Sequence, residues 1–79
     1  MKYKLVCVDW VDSALTIGWK NIDSAEYGIS HCRTVGWLVR DDAEEVRVAM
    51  SVSDSGAVSE VMCIPRGSVK SIKYVRRPS

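Results

Sequence analysis

At 79 residues the chain is long enough for one hydrophobic core and too short for two, because each half of a divided chain would bury too little apolar surface to offset its chain entropy. A content of 47% hydrophobic and 27% charged residues excludes the disordered class, and apolar runs such as Trp37-Leu38-Val39 are far short of the roughly 20 residues a membrane-spanning helix requires. Eleven basic against ten acidic residues leave a formal charge of +1, which neither demands nor forbids a polyanionic partner.

The first predicted element is a strand over 3–10, YKLVCVDW, a β-branched apolar run without glycine or proline. Residues 11–30 carry no strand or helix pattern, and a loop of about twenty residues in so small a domain points to function or to a short element of its own. A second strand is predicted over 31–40, HCRTVGWLVR, with Gly36 marking a bulge or a close backbone approach. The acidic DDAE that follows suits a solvated turn.

Residues 45–53 alternate, with Val46, Val48, Met50 and Val52 on one face and Arg47, Ala49 and Ser51 on the other, the period of a half-buried strand. DSGA at 54–57 has turn chemistry, and VSEVMCI at 58–64 returns as the hairpin partner. Pro65 ends that strand by removing a donor, PRGS fits one tight turn or a single 3₁₀ turn, and a last strand is expected to begin near Ile72. The tail over 76–79 is expected to fray. Five short strands without an amphipathic helix predict a single all-β domain over 1–79, a small barrel or two packed sheets.

Several residues carry candidate chemistry. Trp10, Asp12, Ser13 and Trp19 crowd one loop, where an aromatic plane beside the acceptors Asp9 and Asp12 and the Ser13 hydroxyl suits a polar ring, and His31, Arg33 and Trp37 are added from the second strand. The plainer alternatives are that Trp10 and Trp37 are strand-borne core residues and that Asp12 forms an Asx turn, while Trp19, in the loop, is expected to be exposed or interfacial. His31 and Cys32, adjacent in a strand, face opposite ways and make a poor catalytic pair. One histidine and three dispersed cysteines lack the close ligand pairs of a zinc site, and neither a phosphate loop nor a hydrolase motif occurs, so no catalytic residue, metal or cofactor is expected. Cys7, Cys32 and Cys63 fit reduced thiols in a cytoplasm. Toward the C-terminus Arg66, Lys70, Lys73, Tyr74, Arg76 and Arg77 form a basic stretch with one aromatic, a candidate nucleic-acid surface or a charged edge that deters sheet pairing.

The pattern VDWVDS, GW, VGWLV, IP and a final I, spread over roughly 6–75, resembles small uncharacterised proteins encoded by bacteriophages and prophages. The order of a first strand, a long loop, a three-strand meander, a tight turn and a final strand looks like an SH3-like five-stranded barrel. The chain lacks the ALYDY-like run of peptide-binding SH3 domains, so recognition of proline-rich peptides is not implied. The resemblance implies a non-catalytic accessory protein in the cytoplasm of a bacterial host. With the Trp-rich loop and the small core it leads to an expected homo-oligomer that sequesters a small anionic, nucleotide-like ligand or blocks a host defence protein. The alternative is a nucleic-acid-binding or regulatory barrel that uses the basic C-terminal strand.

Overall fold

The computed structural model describes residues 2–13, 19 and 28–76. Five strands form one antiparallel sheet: β1 (Lys4–Asp12), β2 (Ser30–Asp41), β3 (Glu45–Val52), β4 (Val58–Pro65) and β5 (Val69–Tyr74), with a 3₁₀ turn over Arg66–Ser68. Their order across the sheet is β4-β3-β2-β1-β5, so the 3₁₀ turn carries the chain from one end of the meander to the other. No helix of the described residues is long and apolar enough to cross a membrane. The chain is all-β, as its alternating apolar pattern predicts. The hydrogen-bonded ladder is not closed, because β4 and β5 do not pair with each other.

β2 is the longest strand and serves two neighbours with different parts of itself. Ser30–Leu38 pairs with β1, whereas pairing with β3 involves only Trp37–Asp41 and contains a register shift between Leu38 and Arg40. A shift of one residue bends a strand and increases its twist. The bend allows strands that are not neighbours in the sheet to meet. Val6 and Val8 of β1 pack against Val46 and Val48 of β3 and Ile64 of β4, all at most 2% exposed, with Trp10, Leu38, Val69 and Ile72 packed around them. Full burial of each such side chain contributes roughly 1.5–3 kcal/mol, so this cluster is the main apolar contribution to stability.

Gly36 stands where the approach is closest. A Cβ added there would lie 2.5 Å from Val48 Cγ1 and 2.6 Å from the Ala49 carbonyl oxygen, so the position admits no side chain without displacing β3. The expectation of a close backbone approach is met by an identified neighbour.

The turns follow their side chains. Between β2 and β3, Asp42 Oδ1 accepts from the backbone N–H of Glu44 at 2.8 Å and of Glu45 at 2.9 Å, while Oδ2 holds Arg40. These bonds, the Glu45 amide first and then Glu44 and Arg40, lower the Asp42 carboxyl to a pKa of about 2. Between β3 and β4, Gly56 at φ 88° donates to the Ser53 carbonyl and Ser53 donates to that of Ala57, a three-residue loop with its glycine in the left-handed region. Within β4, Glu60 takes φ 56°, a left-handed conformation costly for a residue with a side chain.

Two expectations need correction. β5 begins at Val69 rather than near Ile72, because the 3₁₀ turn ends at Ser68 and Val69 pairs directly with Trp10, Lys70 being taken up as a bulge. Met50 shares the face of Val46 and Val48 but is 72% exposed, while Ala49, on the opposite face, is buried. The reason lies in β2, whose pairing with β3 ends at Ala49, so Met50 extends past its cover while Ala49 lies opposite Trp37.

Two predictions test this arrangement. Gly36→Ala should destabilise the fold by about 1–3 kcal/mol, lowering Tm by about 4–8 °C per kcal/mol, measured by thermal unfolding followed by circular dichroism. Because the folded-state pKa of Asp42 lies below its ordinary value of 3.8, its stabilising effect is full above that value and is lost as pH falls toward about 2. The Tm difference between the natural protein and Asp42→Ala should therefore narrow as the pH of the melt is lowered from 5 toward about 2; a difference constant across that range would contradict the assignment.

Candidate functional site

The polar chemistry of the described residues gathers at the junction of β1, β2 and β5. In the strand register Asp9 is opposite Arg33 on one side and Ser71 on the other, and Val11 is opposite His31, so Asp9, His31, Arg33 and Ser71 share one face of the sheet. That face is turned away from the core cluster and is called the outer face below. An open cleft of about 370 Å³ lies here, bordered by Asp9, Trp10, His31, Cys32, Arg33, Lys70 and Ser71.

Asp9 joins the three strands. Its Oδ1 accepts from Arg33 Nε at 2.8 Å and its Oδ2 from Ser71 Oγ at 3.1 Å. The Arg33 bond, followed by the Ser71 bond and the positive charges of Arg33 and Lys73, holds the Asp9 carboxyl below its ordinary pKa against a smaller opposing effect of desolvation; the same bond raises the Arg33 guanidinium. With the Arg33 side chain 73% exposed, solvent screens the pair, so its main effect is to orient Arg33. Asp9 engages only Nε, which leaves the four terminal guanidinium N–H groups outside that bond. A planar donor set of this kind matches phosphate or carboxylate oxygens. Lys70, the bulged residue of β5, adds a second cation to the cleft.

The expected site residues do not all meet. His31 and Arg33 border the cleft, as does Trp10. The Trp10 indole, however, packs against the core cluster and donates from Nε1 to Thr34 Oγ1 at 2.9 Å, so Trp10 fixes the floor of the junction rather than offering a stacking plane. Trp37 is half-buried on the outer face, four residues beyond Arg33 along β2 and hence roughly 13 Å away. Asp12 ends β1, exposed, and its Oδ1 accepts from the Ser13 backbone N–H at 2.9 Å, in keeping with a local turn. Trp19 is fully exposed, as its loop position suggested, and its neighbours 14–18 and 20–27 are outside the described residues.

The basic C-terminal residues are also dispersed. Arg66 pairs with Asp41, Lys70 lies in the cleft, and Lys73 is on the outer face, whereas Tyr74 faces the other way and carries Lys4 Nζ 5.2 Å from its ring centroid. Arg76 is exposed, and Arg77, with the rest of the tail over 77–79, is outside the described residues. The acidic turn is largely neutralised from within the chain: Asp41 holds Arg66, Asp42 holds Arg40 and Glu45 holds Arg47. Cys7, Cys32 and Cys63 are free thiols, and no group of three or more His, Cys, Asp or Glu residues among the described ones could hold a metal ion.

Sequence reasoning named Asp9 only as an acceptor beside Trp10, missed Ser71 as part of this site and assigned Lys70 to another surface. Asp9 stood beside Trp10 in an apolar run, but nothing in its neighbourhood signalled a partner 24 residues away in β2 and another 62 away in β5.

Thr34→Val, which keeps the side-chain shape but removes the acceptor of the half-buried Trp10 N–H, should cost about 1–2 kcal/mol in chemical denaturation without loss of the native circular dichroism spectrum.

No family model matches the chain, and neither the curated proteins nor the solved structures include a match to it.

Proposed function

We propose that the chain is a non-catalytic binding module that holds a small anionic ligand, nucleotide-like in carrying phosphate, in the cleft between β1, β2 and β5. The observation that carries this is the orientation of Arg33 by Asp9 beside Lys70, with His31 and the Ser71 hydroxyl on the same rim. A cation held in place by a carboxylate loses less side-chain freedom on meeting an anion than a free one does. The cleft is open, which suits a ligand whose remaining part stays in solvent or meets another protein surface. Aromatic stacking is not assigned to Trp10, whose indole belongs to the core.

An SH3-like small barrel is proposed along with this function. Its supports are the placement of β5 beside β1, the bend in β2 that splits its pairing between β1 and β3, and the single 3₁₀ turn before the last strand. Nucleic-acid binding through β5 is the weaker alternative, because Arg66 is paired with Asp41 and Tyr74 is on the opposite face from Lys73.

The test is native mass spectrometry of the protein purified gently from the cells that express it, followed by equilibrium dialysis against inorganic phosphate, AMP and ATP. A retained or dialysable phosphate-bearing ligand is expected, with Arg33→Ala and Lys70→Ala each weakening it about tenfold or more. Failure to bind any of the three probes, or binding indifferent to both substitutions, would refute the assignment. Affinity for a single-stranded oligonucleotide that falls steeply with salt and depends on Lys73 and Arg76, but not on Arg33, would transfer the function to β5.

A further inference from the structure

Three nitrogen-bearing side chains border the cleft from different places. His31 and Arg33 are two residues apart on β2, on the same face and roughly 7 Å from each other along the strand, while Lys70 enters from the bulge of β5. Opposite His31 on β1 is Val11, whose side chain offers neither charge nor hydrogen bond. The carboxylate on that face of β1 is Asp9, one rung further along, and both its oxygens are engaged, Oδ1 by Arg33 and Oδ2 by Ser71. Asp12 belongs to the opposite face, with Trp10. The remaining titratable group of the border is the Cys32 thiol. A proton on His31 is therefore not offset by a free carboxylate among the described residues of the border, and it adds its full charge to the cleft.

Charge and donor count then decide which anion fits. Asp9 cancels one of the two permanent cations, Arg33 and Lys70, and leaves one net positive charge; an imidazolium at His31 raises it to two. A phosphodiester carries one negative charge and two non-bridging oxygens, and the permanent cations suffice for it. A terminal phosphate has three acceptor oxygens and a charge of about −1.5 to −2 near neutral pH. It is matched in both respects when Arg33, Lys70 and a protonated His31 each supply a donor. The open form of the cleft agrees, since it admits the end of a molecule whose remainder stays outside.

We propose, resting on the reading of this cleft as an anion site, that its ligand presents a terminal phosphate rather than a bridging one, and that His31 holds it as an imidazolium. His31 is then the residue that sets this specificity, and capture is linked to a proton taken from solvent onto the ring, with no bond of the ligand broken. Histidine changes charge between about pH 5 and 8, so affinity for the dianion falls as pH rises through that range.

The experiment is equilibrium dialysis of the full chain at pH 6.5 and pH 8.0 against AMP and cyclic AMP, which present the same nucleoside with a monoester and with a diester. AMP stays largely dianionic over this range, because its second ionisation lies near pH 6. The natural protein should bind AMP about tenfold more tightly at pH 6.5 than at pH 8.0, and about tenfold more tightly than cyclic AMP at the lower pH. His31→Gln, a neutral donor, should bind AMP equally at both pH values and as weakly as the natural protein does at pH 8.0. Cys32→Ser should retain the pH dependence. AMP binding that requires Arg33 but keeps its pH dependence in His31→Gln, or cyclic AMP held as tightly as AMP, would overturn this proposal and leave the anion site standing. AMP binding that is absent, or unchanged in Arg33→Ala, would overturn both.

Discussion

The absence of a side chain at Gly36 is the constraint on which the rest of the structure depends. β2 must pair with β1 along most of its length and then pass to β3, and at the transition its backbone comes so close to β3 that a Cβ would meet the Val48 side chain and the Ala49 carbonyl. Only with that approach, and with the register shift just beyond it, can Val6 and Val8 reach Val46, Val48 and Ile64 across an intervening strand. A flat sheet made from the same strands would leave those valines facing water. Domains of this size bury little apolar area, and this small cluster of aliphatic residues bears a large share of the stabilisation.

The same curl divides the labour of the two faces. Side chains directed inward make the core, and those directed outward form a polar junction and an apolar row. Along the outer face the chemistry is polar around Asp9, where β1, β2 and β5 are joined by one carboxylate, and apolar from Leu5 to Val61. The polar part is suited to orienting a cation toward an anionic group. The apolar part ends at β4, the end strand of the sheet among the described residues. The polar and the apolar part thus rest on separate residues of one sheet face, and a change in one need not disturb the other. Asp9 illustrates the economy of a small domain, since the bonds that fasten the outer face are also those that aim Arg33.

Local pattern made the strands legible. Residues 45–52 form a strand because their apolar side chains alternate, DSG forms a three-residue turn because its glycine can take a positive φ, and Pro65 closes β4 for want of an N–H. Gly36 could be read as a bulge or a close backbone approach because a glycine in a strand has few other reasons to be there, and the neighbouring β3 decided for the approach. Where local pattern misled, a tertiary neighbour was decisive. Met50 satisfied the alternation and is exposed because β2 no longer covers β3 at that point, and the start of β5 was set by its pairing with Trp10.

The candidate site was legible only in part, for the same reason. His31, Arg33 and Trp10 could be named from their residue types, but strand parity directs the Trp10 indole to one face and the Arg33 guanidinium to the other, which separates groups on adjacent rungs of the sheet. Asp9, Lys70 and Ser71 join the cleft through cross-strand register, which is a property of the assembled sheet. The sequence by itself determined the all-β class and the succession of strands and turns, because these follow from periodicity and backbone sterics over a few residues. Only the tertiary structure decided what Gly36 meets, which residues share a face, which carboxylate meets which cation and which strands lie at the ends of the sheet, because each of these depends on partners distant in the chain or on the order of strands across the sheet.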